Sequence, residues 1–355
     1  MKKTVSVFLA LCLSLLLLPA ACAEGAGPDD SPAWVAALPK AEGAQQLLVV
    51  AGIGVTTANV SLHERDENGS WKRLMTTPGY IGKNGLGKTR EGDAKTPVGV
   101  YGFNRAFGVA PDPGCRLPYT QVTEELYWSG DTREGYHYNE LVSLREYPDL
   151  SLADSEHLAD YALEYQYCLN ISYNAEGIPG LGSAIFLHCL GEFLPYTGGC
   201  VAIPAERMLA VMRAVRPDCV VVIDSLENLS PETWEALGLG STEELRLDFG
   251  VSALYSLSER ADASAVILKS FAGRMGCRLH TLRYAGDRSC TEENLRWLNA
   301  HEGGGAYTAC CEFVSDFRSP VEACGAWEPN VEYTDWSWWL ARSENGAWVL
   351  VDCGH

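Results

Sequence analysis

The side chains in this sequence best suited to acyl chemistry are His188 and Cys200. His188 closes an apolar run, Ala184-Ile185-Phe186-Leu187, that reads as a strand. Cys200 follows Thr197-Gly198-Gly199 at the end of the loop that comes next. A cysteine attacks a carbonyl as its thiolate, and a neighbouring imidazole takes the thiol proton and later returns it. Two glycines before the cysteine allow a sharp turn. The N–H groups of Gly199 and Cys200 then stand where they can stabilise an oxyanion, and the backbone carbonyl of Cys189 can orient the imidazole. On these residues alone a second reading stands beside the first: a buried structural cysteine with a core or surface histidine.

The elements that must hold this pair are mostly strands. Leu47 to Val50 is a short apolar strand, and Val60 and Leu62 alternate with polar neighbours in the next. Asn68-Gly69 then marks a hairpin leading to Trp71, Arg73 and Met75. Cys219 to Ile223 reads as a buried strand. Pro204 to Val215 reads as a helix, with Pro204 at its first position, Glu206 at the positive end, and Met208, Met212 and Val215 on one face. The fold class expected is a mainly β catalytic domain over residues 45–228, followed by a small α+β domain over 251–355. Residues 24–44 and 229–250, rich in Gly, Pro and polar breakers such as Ser230-Pro231 and Gly238-Leu239-Gly240, read as linkers.

A second segment bears on the function. Gly87-Lys88-Thr89-Arg90-Glu91-Gly92-Asp93-Ala94-Lys95-Thr96-Pro97-Val98-Gly99-Val100-Tyr101 precedes the His188 and Thr197–Cys200 signature. The two together resemble the L,D-transpeptidase (YkuD) family, in which a Thr-Pro-x-Gly turn enters a strand and a His is followed, after a spacer, by Ser/Thr, a small residue or His, Gly and Cys. The resemblance implies a YkuD-type β-sandwich with short helices and the cysteine in a cleft. It implies acyl transfer between peptidoglycan stem peptides, with Cys200 as nucleophile and His188 as base and no cofactor. Many members carry His at the place of Gly198 and Arg soon after the cysteine; Val201-Ala202-Ile203 holds no Arg. With water as acceptor, the same pair would make an L,D-carboxypeptidase or amidase. The rival from another class is a non-catalytic wall-binding protein on the same fold.

Other residues near the signature read less directly. Tyr136-His137-Tyr138-Asn139, with Trp128 and Asp131 upstream, suits either a wall of the substrate site, with Trp128, Tyr138 and Asn139 as contacts beside Thr197 and Gly198, or a surface loop over buried aromatics. Lys83, Lys88 and Arg90 read as solvated loop charges or as partners of stem-peptide carboxylates. Lys95-Thr96-Pro97 reads as a structural turn. An activated thiolate at Cys200 is expected to react with iodoacetamide near neutral pH faster than buried cysteines do.

In the C-terminal region, Ala253–Gly276 and Glu292–Ala300 read as helices. Tyr307–Phe317, Val331–Arg342 and Ala347–Val351 read as strands, the last two joined at Asn345-Gly346. Strand alternation puts Trp336 and Trp338 on one face and Trp339 on the other, as the core of a small sheet or an aromatic pocket for a glycan or peptide. The order of elements loosely resembles the NTF2-like fold. His280, His301 and His355 show no ligand spacing, and no metal is expected.

Composition sets outer bounds. The chain has 355 residues and a formal net charge of -19, which suits two domains and leaves no electrostatic footprint for nucleic acid. Lys2 and Lys3, an apolar stretch from Val5 to Leu18, and Ala21-Cys22-Ala23 read as a signal peptide over residues 1–23, with a mature start near Glu24. A lipoprotein anchored at Cys22 is the variant. No later segment is apolar and long enough to span a membrane. The 13 cysteines suggest disulfides in an exported chain, Cys277 with Cys290 among the pairings open.

Overall fold

The computed structural model describes residues 28–354 except 193, 238, 240, 273–275, 302–304, 322–326 and 345. The expected signal segment with Cys22, the breakers Gly238 and Gly240, Cys324, Asn345 and His355 lie outside the described residues. The chain divides into two compact units, Ala26–Gly52 with Thr56–Ser225, and Leu226–His355 with Ile53–Val55.

The first unit begins with β1 (Asp29–Asp30) and a short helix, α1 (Ala33–Ala36). Residues 24–44 are expected to be a loose linker, yet Val35, Leu38 and Ala41 are buried, because even a small apolar residue gains by leaving water. Next come β2 (Gln46–Gly52), β3 (Thr57–Arg65) and β4 (Trp71–Tyr80). Strand β2 is buried along its whole length. It pairs antiparallel with β3 and parallel with β13 (Val220–Ser225), which accounts for its continuous apolar sequence. The hairpin between β3 and β4 turns at Gly69, whose φ is +81°, while Asp66 Oδ1 accepts from the N–H groups of Asn68 and Ser70.

The remaining strands are β5 (Gly99–Gly108), β6 (Tyr119–Gln121), β7 (Leu126–Trp128), β8 (Leu141–Ser143), β9 (Glu156–His157), β10 (Cys168–Ile171), β11 (Phe186–Cys189) and β12 (Val201–Ile203). The main sheet runs β4-β12-β11-β10-β5-β13-β2-β3, and β3 pairs back onto β4, so the hydrogen bonding closes on itself. Closure removes sheet edges that would otherwise template aggregation. Alternate residues, among them Leu48, Val50, Val60, Leu62, Leu187 and Val201, face one core. Helix α2 (Ala205–Ala214) buries Met208, Val211 and Met212 in that core.

The other face of β10, β11 and β5 carries a second, aromatic layer. Phe107, Trp128, Tyr165, Phe186, Cys168 and Cys200 pack there. Phe186 meets Trp128 and Phe107 edge to face, with ring centroids 4.8 and 5.1 Å apart, the geometry that the ring quadrupole favours. A small sheet of order β8-β7-β9 contributes Trp128 to this layer.

The second unit holds α3 (Leu226–Leu229), α4 (Pro231–Leu237), β14 (Arg246–Asp248), α5 (Leu257–Ala272), β15 (Arg278–Tyr284), α6 (Glu292–Ala300), β16 (Ala309–Arg318), β17 (Glu332–Arg342) and β18 (Val349–Gly354). The stretch 229–250, expected to be a linker, is thus partly folded. Trp234, Leu237, Leu239, Leu245 and Leu247 are buried although breakers separate them. Helix α5 starts four residues later than expected because Ser256 and Glu259 cap it reciprocally: Ser256 N–H donates to Glu259 at 2.8 Å and Glu259 N–H to Ser256 Oγ at 3.3 Å. Strand β15 is not legible as an alternating run, because a bulge between Leu279 and Thr281 shifts its phase. Trp338 is wholly buried, its indole donating to Ser315 Oγ at 2.8 Å, whereas Trp339 packs against Trp297. The pairing of Cys277 with Cys290 that the sequence leaves open is not made: Cys290 is a free thiol, as are Cys115, Cys168, Cys189, Cys200, Cys219, Cys310, Cys311 and Cys353.

Candidate active site

Strands β11 and β12 run parallel, with Leu187 opposite Val201 and His188 opposite Ala202. Side chains alternate along a strand. Leu187, Cys189, Val201 and Ile203 face the core, so Phe186, His188, Cys200 and Ala202 share the opposite face. Cys200, at the mouth of β12, donates its thiol to Ala184 O at 3.1 Å and accepts from Phe186 N–H at 3.3 Å. His188 Nδ1 lies 2.7 Å from the carbonyl of Cys189. A carbonyl can only accept, so Nδ1 carries the proton and Nε2 keeps the free lone pair. Thiol and imidazole are both buried and line one cavity of about 830 Å³. They are not hydrogen-bonded to each other among the contacts of the described residues.

The loop that delivers Cys200 is tied to the Thr96-Pro97 turn. Thr96 Oγ1 accepts from Gly82 N–H at 2.9 Å and donates to the carbonyl of Cys200 at 3.2 Å. Thr197 Oγ1 donates to the same carbonyl at 2.7 Å and accepts from Gly199 N–H at 3.1 Å. The Gly199 amide is therefore engaged inside the loop. Gly199 has φ +143°, and a Cβ there would lie 2.8 Å from Lys95 O. Gly198 is exposed at the cavity, with open space where its Cβ would be.

Burial pushes the Cys200 thiol up to about 12, aided by the charge of Glu156 and opposed by Phe186 N–H and Lys88. Burial also lowers His188, against the Cys189 carbonyl and Glu164. The resting pair is therefore a neutral thiol and a neutral imidazole. Lys88 is no solvated loop charge: its side chain is 2% exposed and pairs with Asp93 at 3.0 Å. Burial works against the Asp93 carboxylate, but donors from Thr89, Lys88, Lys95 and Arg90 hold it at about 2. Lys83 is exposed, lines the cavity and lies over the Tyr196 ring at 5.2 Å.

The expected substrate wall is only partly where the sequence reading puts it. Thr197 and Gly198 line the cavity. Trp128, Tyr138 and Asn139 are buried outside its lining. Asn139 acts as a strut: its Oδ1 accepts from Trp128 Nε1 at 2.9 Å and Ala184 N–H at 3.0 Å, and its amide donates to Tyr173 O and Asn174 O. Tyr138 donates to Glu91, which does line the cavity, as do Glu156, Glu164 and Tyr165. The sequence marked none of the last three, because only the fold brings them beside Cys200. Among the described residues, no group of three or more His, Cys, Asp or Glu side chains is placed to hold a metal.

A thiol and a proton-accepting nitrogen on one face of a closed β-sheet, sharing one cavity, can pass an acyl group through a thioester. Residues 58–223 match the family model of the L,D-transpeptidase catalytic domain, YkuD. Among solved structures, the helical cell shape determining protein Pgp2 from Campylobacter jejuni aligns at 12% identity and a TM-score of 0.29, over 87% of this chain and 91% of that one. A variant of the same protein aligns at 13% and 0.28, over 87% and 89%. No curated protein matches. No helix among the described residues is long and apolar enough to cross a membrane.

Proposed function

We propose that this chain is an exported L,D-transpeptidase, a cysteine acyltransferase that works on peptidoglycan stem peptides. The observation that carries the reading is the common cavity of Cys200 and His188 inside a matched catalytic domain. As the donor peptide enters, His188 Nε2 takes the Cys200 proton while Sγ attacks the carbonyl of an L,D peptide bond. The Cys200 N–H, at the start of β12, is the donor left to face the oxyanion once Gly199 is engaged by Thr197. The imidazolium returns its proton to the leaving amine, leaving a thioester. An amine of a second stem peptide then attacks, with His188 again as base.

Export rests on the leader-like segment that ends at Ala23, with a lipidated Cys22 as the variant. N-terminal sequencing of native protein that still began at Met1 would refute it. The second unit, a mostly antiparallel sheet with helices α5 and α6, supports an NTF2-like accessory domain. We take the first unit to work without it: a chain ended near Ser230 folds and keeps acyl transfer, and a folded but inactive product would make the second unit part of the site. Mass spectrometry of muropeptides incubated with purified protein tests the activity. Cross-linked products are expected. Only shortened stems would mark a carboxypeptidase, and no change at all would defeat the enzyme reading.

A further inference from the structure

Glu156 opens β9, opposite Trp128 of β7, and lines the cavity of Cys200 and His188. The Tyr165 hydroxyl donates to its carboxylate. Tyr165 is buried, and its ring meets the His188 imidazole edge to face at 5.5 Å. Phe186 and Phe107 flank the same ring at 5.6 and 6.3 Å. A phenol packed on several sides is a rigid surface when its polar tip is anchored. Glu156 is that anchor, and the acyl-transfer steps above make no use of it.

We propose that Glu156 is a positioning residue of the Cys200–His188 centre, holding the imidazole through Tyr165 and acting on the thiol through its own charge. The proposal rests on the Cys200–His188 reading of the site. The groups that face Glu156 are Tyr161 and Tyr165 from the segment after β9, Cys168 from β10, Glu91, and the cavity neighbours Asp154 and Cys200. A negative charge near a thiol disfavours the thiolate, and Lys88 opposes it at Cys200. Burial and Glu91 both favour the neutral form of Glu156, while the Tyr165 hydroxyl favours the charged one. The carboxylate therefore adds to the burial that keeps the Cys200 thiol neutral.

Three full-length variants separate the two roles. Glu156→Gln keeps an acceptor oxygen for Tyr165 but loses the charge. Tyr165→Phe keeps the charge and the ring but loses the anchor. Cys200→Ala reports the nucleophile. The parent, Glu156→Gln and Tyr165→Phe are measured for iodoacetamide labelling of Cys200 against pH, and all three variants for the rate of acylation by a carbapenem. Glu156→Gln is expected to lower the labelling midpoint by roughly half a pH unit or more. Tyr165→Phe is expected to leave the midpoint in place and to slow acylation about tenfold or more, because the imidazole loses its fixed seat. An unmoved midpoint in Glu156→Gln overturns the proposal, and so does parental acylation in Tyr165→Phe. Parental acylation in Cys200→Ala would instead defeat the underlying Cys200 reading, and the proposal with it.

Discussion

The His188 imidazole donates its Nδ1 proton to the carbonyl of the adjacent residue, Cys189, across 2.7 Å. That bond places the proton on Nδ1 and leaves the lone pair on Nε2. With the thiol held high by burial, the proposed acyl transfer calls for proton transfer during attack. His188→Ala is expected to slow acylation near pH 7 by about 10²- to 10⁴-fold. The loss shrinks at alkaline pH, where the thiol ionises unaided. A pH profile of stopped-flow acylation checks this, and a profile parallel to the parent's would contradict it.

The two glycines before Cys200 have different roles. Gly199→Ala places a Cβ against Lys95 O at φ +143° and is expected to cost about 1–3 kcal/mol in stability. Gly198→Ala meets open space and is expected to leave both stability and acylation near the parent. Chemical denaturation of the two variants compares them directly.

Thr96 joins the two sequence motifs physically. Thr96→Val strands the Gly82 N–H and removes one donor from the Cys200 carbonyl, at an expected cost of about 1–3 kcal/mol for a buried polar group left unpaired. Thr96→Ser restores the hydroxyl and is expected to recover most of the loss. Equal stabilities for Val and Ser would show that the hydroxyl is idle.

Much of this was legible in the sequence, and the reason is chemical. A cysteine after two glycines and a histidine at a strand end are rare placements, and the Thr-Pro turn is distinctive because it must hold the Cys200 carbonyl. Trp128, Tyr138 and Asn139 left two readings open, since a sequence cannot distinguish an indole that donates to a buried Asn139 from one that faces a substrate. Glu156 lies in an ordinary polar stretch, and only the pairing of β9 with β7 carries it to the cavity. In the second unit, the bulge in β15 erased the period that would have announced the strand.

His63 makes the first unit sensitive to acid. It bridges Ser31 Oγ and Ser61 Oγ, each at 2.8 Å, and burial, with Arg73 beside it, lowers it from 6.5 to about 3. Below pH 6.5 the unfolded chain binds this proton while the folded one does not until about 3, so stability is full above that window and falls as pH drops through it. His63→Gln is expected to flatten this part of the curve. Urea midpoints taken across the window measure it, and an unchanged slope in the variant would assign the acid sensitivity elsewhere.

The central claim is that Cys200 carries the acyl group with His188 as its base. The most direct test is intact-mass measurement after incubation with a carbapenem, whose strained β-lactam carbonyl stands in for the acyl donor. The parent is expected to gain the mass of one carbapenem, mapped to Cys200. Cys200→Ala and Cys200→Ser are expected to gain none, and His188→Ala to gain it far more slowly. Equal labelling of the parent and Cys200→Ala would place the nucleophile elsewhere and contradict the account.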